Sequence, residues 1–168
     1  GLENASLAIS QSLRLDNLTF AAEGDDPDAM FSLGMFHLDQ RQPQPALEWL
    51  KKAAGKKHGE AIEALGEEYI SGSFGEPDFE EGAKWLKQAA SQGSLPAQTR
   101  LGSLALAGKL PGTKPAGAVR WFRAAAEKGY AEAQTRLGGL LWEGGVVKQD
   151  LKNGMMWMRK AADQRYAF

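Results

Sequence analysis

The sequence predicts an all-α solenoid of stacked helix pairs, and three observations carry that prediction. Trp49, Trp85, Trp121 and Trp157 stand 36 residues apart. An alanine pair follows each at a fixed offset: Ala53-Ala54, Ala89-Ala90, Ala125-Ala126 and Ala161-Ala162. A Leu-Gly dipeptide precedes each: Leu33-Gly34, Leu65-Gly66, Leu101-Gly102 and Leu137-Gly138. A unit recurring at this period cannot bury its apolar face alone, so it stacks on its neighbours. Four repeats follow, at residues 25–57, 58–93, 94–129 and 130–165.

Residues 1–24 lack the motif. Leu7, Leu13, Leu18 and Ala22 mark an amphipathic helix there, and Ala21-Ala22-Glu23-Gly24 echoes Ala125-Ala126-Glu127-Lys128-Gly129. This segment reads as a degenerate second helix that caps the stack. The first helix of each repeat carries Ala-x-x-x-Leu-Gly, beginning at Ala29, Ala61, Ala97 and Ala133. Its Ala and Leu lie four apart, on one helical face. A mid-helix glycine costs about 1 kcal/mol against alanine, so its recurrence calls for close approach by the partner helix. Gly72, Gly108 and Gly144 stand where a helix ends in a left-handed residue.

The second helix carries a small residue (Ala46, Gly82, Ala118 or Gly154), then Trp, then the alanine pair. Asp26-Pro27 reads as an N-cap followed by a first-turn proline. Asp78 with Glu81 forms a capping box, and Asp150 is a further N-cap. Gly93 and Gly129 end their second helices. In the first repeat Gly34 and Trp49 are 15 residues apart, against 19 in the other three, so its inter-helix connection is a tight turn. The later loops are longer and free to protrude. Tyr166-Ala167 falls 36 residues after Tyr130-Ala131, as though another repeat began at 166–168. The chain opens at Gly1 without a methionine, which reads as a processed or excised segment.

Composition narrows the function. The net charge is −1, so no global field favours nucleic acid or an acidic membrane. No apolar run approaches the roughly 20 residues of a membrane span. There is no cysteine, hence no disulfide, thiolate metal site or cysteine nucleophile. His37 and His58 stand in different repeats without ligand-spaced companions. No phosphate-binding loop, nucleophile elbow or zinc-protease motif occurs. The reading is therefore non-enzymatic, with no cofactor and no metal.

The repeat motif resembles the Sel-1-like repeat (SLR) family, a relative of the tetratricopeptide repeat (TPR). Repeat four carries the resemblance best, through Ala131, Ala133, Leu137, Gly138, Gly144, Val146, Asp150, Trp157, Ala161 and Ala162. Repeat two adds Tyr69, Gly72 and Asp78. Repeat three departs at Pro111 to Pro115, and repeat one lacks the loop and has His37 at the tyrosine position. The resemblance implies a right-handed superhelix of antiparallel helix pairs, TPR/SLR-like, with first helices lining a concave face. It implies a protein-binding scaffold, with a bacterial, periplasmic or exported setting ahead of a cytoplasmic one. A cell-wall or carbohydrate binder or enzyme, or a purely structural segment of a larger solenoid, are the alternatives.

Candidate binding residues follow from charge and from that analogy. Residues 58–93 hold eight acidic and two basic side chains, and residues 94–129 hold one acidic and six basic. Glu60, Glu63 and Glu67 form one stripe on a first helix, suited to a basic segment of a partner protein. Phe31 and Met35 occupy the positions equivalent to Glu63 and Glu67 in repeat one and would give the same groove an apolar end. Trp142 is off-phase, aligned with Leu38, Ile70 and Leu106, and is a candidate anchor because exposed aromatics dominate binding surfaces. The four phased tryptophans read as core. Arg100, Lys109, Lys114, Arg120 and Arg123 form a basic set, better read as a solvated face than as a phosphate site.

Overall fold

The computed structural model describes the backbone of residues 2–165 and the side chains of residues 13–164. The Tyr166-Ala167 echo and the side chain of Leu7 lie outside the described residues. Among the described residues the chain is helical, with no strand, and it forms two compact units, residues 1–78 and 79–168.

The first unit contains α1 (Leu2–Glu23), α2 (Pro27–Asp39), α3 (Pro43–Gly55) and α4 (Gly59–Ser71). Each packs on the next. Asp26 caps α2, its carboxylate accepting from the N–H groups of Asp28 and Ala29 at 3.0 and 3.4 Å, and Pro27 opens the helix. Only Gln40 to Gln42 separate α2 from α3, the tight turn expected from the short spacing. Gly72 closes α4 in the left-handed conformation, φ 82°. The core is Leu33, Ala46, Leu50, Ala53, Ile62 and Leu65, each at most 1% exposed. In α1, Ala22 is buried and Leu18 half-buried, but Leu13 is exposed. The amphipathic reading of α1 therefore holds for its last turns and fails at Leu13.

The second unit contains α5 (Phe79–Ser91), α6 (Leu95–Leu106), α7 (Ala118–Glu127), α8 (Ala131–Glu143) and α9 (Leu151–Arg165), with a 3-10 turn at Pro115–Gly117. Again each helix packs on the next. Ser94 caps α6 through Ala97 N at 3.0 Å. Asp150 caps α9, accepting from Asn153 N at 3.0 Å. That backbone bond, then the Asn153 side-chain amide, and finally the Lys152 charge hold the Asp150 pKa below the ordinary aspartate value. A depressed folded pKa contributes stability above the unfolded value, and the contribution is lost as pH falls through the lowered one.

Two details depart from expectation. The long connection of repeat three does not simply protrude, because Leu110 is 2% exposed and anchors it in the core. The phased tryptophans are not the deepest residues either. Trp49, Trp85 and Trp121 are half-buried and only Trp157 is buried. The residue after each of the first three, Leu50, Leu86 or Phe122, is fully buried. A cation lies over three of the indoles: Lys52 over Trp49, Arg120 over Trp121 and Lys160 over Trp157, at 4.0, 5.1 and 4.6 Å. An indole with one face in the core and the other under a cation suits the amphipathic character of tryptophan.

The recurrent glycines meet the partner helix closely, as their spacing predicts. A Cβ on Gly34 would lie 2.6 Å from Leu50 Cγ, and one on Gly102 would lie 2.7 Å from Phe122 Cε1. Between α8 and α9 the approach is backbone to backbone: a Cβ on Gly154 would lie 2.9 Å from Trp142 N.

One equivalent position ends α1, α3, α5 and α7 in a left-handed turn: Asp25, Lys57, Gly93 and Gly129, with φ 78°, 64°, 97° and 90°. An L-side chain there is strained by roughly 1 kcal/mol relative to glycine. Lys57→Gly is expected to stabilise the chain by about 0.5–1 kcal/mol. A urea midpoint that falls instead would show that Lys57 makes a compensating contact.

Candidate functional site

In the first unit the candidate residues occupy α2 and α4. The link between these helices is His58. Its Nδ1 accepts from Ala61 N at 3.1 Å, capping α4. Its Nε2 lies 3.0 Å from Asp28 Oδ1. Since Nδ1 accepts, the proton of the neutral ring is on Nε2 and is donated to Asp28. The Phe31 ring stacks on the imidazole, centroids 4.9 Å apart and planes 26° apart. Asp28, Phe31 and His58 are thus one cluster that fixes the entry of α4 against α2. Sequence reading gave His58 no such role. Its signal is positional, because Asp26 and Ser94 stand at the equivalent cap sites. His37 also serves a helix end, with Nδ1 2.6 Å from Gln42 Oε1.

His58→Ala removes the cap and both side contacts, and is expected to cost about 1–2 kcal/mol. His58→Asn keeps a capping oxygen and is expected to cost less than half as much. Equal losses in thermal melts of the two variants would show that the Phe31 and Asp28 contacts, rather than the cap, carry the stability.

Around this cluster, Glu60 is exposed, while Glu63, Glu67, Phe31 and Met35 are half-buried. Glu63 and Glu67 each engage a neighbouring group. Glu60 is thus an exposed carboxylate on α4, and Phe31 and Met35 are half-open apolar side chains on α2. A cavity of about 650 Å³ in this unit opens beside Met30 and Trp49. Lys56 pairs with Asp25 at its rim, and Lys52 covers the indole. The cavity holds no nucleophile with an adjacent base.

In the second unit Trp142 is 44% exposed, and its carbonyl accepts from Gln149 Nε2 at 2.9 Å. Nearby, Leu106, Thr135, Arg136, Gly139 and Glu143 line a groove of about 500 Å³ between α6 and α8. Arg136 pairs with Glu132 at 3.4 Å along α8. Two buried amides tie successive helices here: Gln98 Nε2 donates to Ala90 O at 3.3 Å and Gln134 Nε2 to Ala126 O at 3.1 Å. The first unit has apolar Met30 and Ile62 at those positions. The basic set does not form one patch: Lys109 lies over Phe79 at 4.6 Å, Arg120 lies over Trp121, and Arg100 is half-buried.

Among the described residues no cluster of three or more histidine, aspartate or glutamate side chains could hold a metal ion. No described helix is long and apolar enough to cross a membrane. What the chain presents chemically is surface: helix faces with half-open apolar side chains beside charges.

Known proteins share this architecture. A protective antigen present in uropathogenic Escherichia coli strains, with an SLR fold, superposes with a TM-score of 0.79 at 32% identity, over 89% of this chain and 33% of that one. A Sel1 repeat protein from Oxalobacter formigenes gives 0.78 at 24% identity, over 90% and 62%. An immunity protein from Pseudomonas aeruginosa gives 0.56 at 19% identity, over 91% and 73%, a likeness of fold alone. The chain thus spans a third of the first relative's length and under two thirds of the second's. No curated protein sequence matches. Four consecutive segments, residues 27–58, 59–94, 95–130 and 131–166, match the Sel1 repeat, and the chain belongs to that family.

Proposed function

We propose that this chain is a non-catalytic scaffold whose first unit receives a basic segment of a partner protein along α2 and α4. Sel1 repeat proteins are generally protein-interaction scaffolds without enzymatic activity. The observation that carries the finer reading is the pairing of half-open Phe31 and Met35 with exposed Glu60 on neighbouring first helices. A lysine or arginine near Glu60 gains charge attraction and steering, and an apolar side chain beside it gains burial against Phe31 and Met35. Glu63 and Glu67 extend the negative field of the same face. Trp142, in the second unit, is a separate anchor for a partner side chain. The relative at 32% identity is a bacterial protective antigen, which supports an exported or envelope setting.

The test is an affinity capture from bacterial lysate and envelope fractions, with the wild type, Glu60→Lys and Trp142→Ala as bait. A protein retained by the wild type and depleted about tenfold on Glu60→Lys supports the acidic site. A protein retained equally by wild type and Glu60→Lys but lost on Trp142→Ala moves the site to the second unit. Equal retention on all three overturns both assignments.

A further inference from the structure

The repeats allow each surface residue to be compared with its equivalents, and two positions break the pattern. The residue before each phased tryptophan is Glu48, Lys84, Arg120 and then Met156, and all four are exposed. The residue before each alanine pair is Lys52, Gln88, Ala124 and Lys160, all exposed, whereas in α1 it is Phe20. Phe20 is 79% exposed and Met156 is 40% exposed. A solvated second-helix site is thus charged, polar or small in the repeats, and carries a large apolar side chain only in α1 and α9.

Neither residue stands alone. On α9, Gly154, Trp157 and Ala161 turn toward α8 and are buried, and the opposite face exposes Leu151, Met155 and Met156. Its charged members are Lys152, Arg159, Lys160 and Asp163, so the face is basic. On α1, Leu13 and Phe20 lie two turns apart on one exposed face. Asp16 and Glu23 flank them and are exposed. One face therefore offers an aromatic ring between carboxylates, and the other offers methionines between cations. Methionine sulfur on an aromatic ring is a favourable contact, and the charges of the two faces are opposite in sign across such a contact.

We propose that the α9 face of one copy of this chain binds the α1 face of a second copy. The contact is heterologous, so a pair joined by it keeps one open α1 face on one copy and one open α9 face on the other, and association continues beyond the dimer. It is separate from the α2–α4 surface proposed above and stands without it.

The experiment is sedimentation velocity on the 168-residue chain from about 5 to about 500 µM, the range where a small transient interface is half-formed. The wild type should grow in mass with concentration past the dimer, and growth should weaken in about 0.5 M salt. Phe20→Asp and Met156→Asp each destroy one face at an exposed site, so helicity and melting temperature should hold. Each variant alone should associate at least tenfold more weakly. Mixed one to one, they should form a dimer and stop, because Phe20→Asp retains the α9 face and Met156→Asp the α1 face. A monomeric wild type over the whole range overturns the proposal. So does undiminished association of either variant alone, which would mean like faces pair, and so does a mixture that stays monomeric.

Discussion

Phe122→Ala is expected to lower stability by about 3–5 kcal/mol, the largest loss of any single truncation in the second unit. Phe122 is fully buried, and its ring fills the space left by the missing side chain of Gly102. Removing it forfeits the transfer energy of a phenyl group and leaves a cavity between α6 and α7 that close-packed neighbours fill only in part. Phe122→Leu is expected to cost only about 1 kcal/mol, since Leu50 fills the equivalent site opposite Gly34. Gly102→Ala provides the internal test. In the wild type its Cβ would lie 2.7 Å from Phe122 Cε1, against a ring that cannot retreat, at a cost of about 1–3 kcal/mol. In the Phe122→Ala background the same methyl enters the cavity and gains helix propensity, so its effect should reverse sign. Urea midpoints at constant slope read all four states. Additive losses would show that ring and glycine are not coupled.

That pairing marks the boundary of what the sequence reveals. Helices, caps and turns were legible because they rest on local chemistry. Asp26 and Asp150 supply side-chain oxygens to free N–H groups, and Gly72, Gly93 and Gly129 adopt the left-handed turns that glycine tolerates. Periodicity also gave the glycine-lined approach of helix on helix. It did not give depth. Tryptophan dominates the eye at a 36-residue spacing, yet Leu50, Leu86 and Phe122 beside it are the buried residues. Two adjacent helical positions differ by only about 100°, and which of them meets the next helix is a tertiary outcome. His58 was hidden for another reason. Its capping role depends on one ring nitrogen, while Asp28 and Phe31 come from about 30 residues away. Of the candidate site, exposed Glu60 and Trp142 were readable as surface residues, but Leu13, Phe20 and Met156 emerge as surface only once burial is known.

Gly154→Ala should destabilise the α8–α9 pair by about 1–3 kcal/mol, although two of the four repeats carry alanine at this position. Ala46 and Ala118 stand at the equivalent position and are fully buried, while Gly82 is a glycine like Gly154, so only transfer from repeats one and three would install alanine. Local geometry forbids it. The added Cβ would lie 2.9 Å from Trp142 N and 3.0 Å from Gly138 O, both backbone atoms that no side-chain rotation can move. The helices must separate, and Trp157 and Ala161 would lose part of their burial against α8. Gly139, on the same helix as Gly138, is the matched control. A Cβ there meets nothing within 4 Å, so Gly139→Ala should gain about 0.5–1 kcal/mol from reduced backbone entropy in the unfolded chain. The two Gly→Ala changes therefore differ in sign for one reason, the distance between backbones. If Gly154→Ala melts at or above the wild type, α8 and α9 adjust their separation freely and the alanine of repeats one and three is tolerated here. If it melts lower while Gly139→Ala melts higher, the glycine at 154 is required by backbone approach.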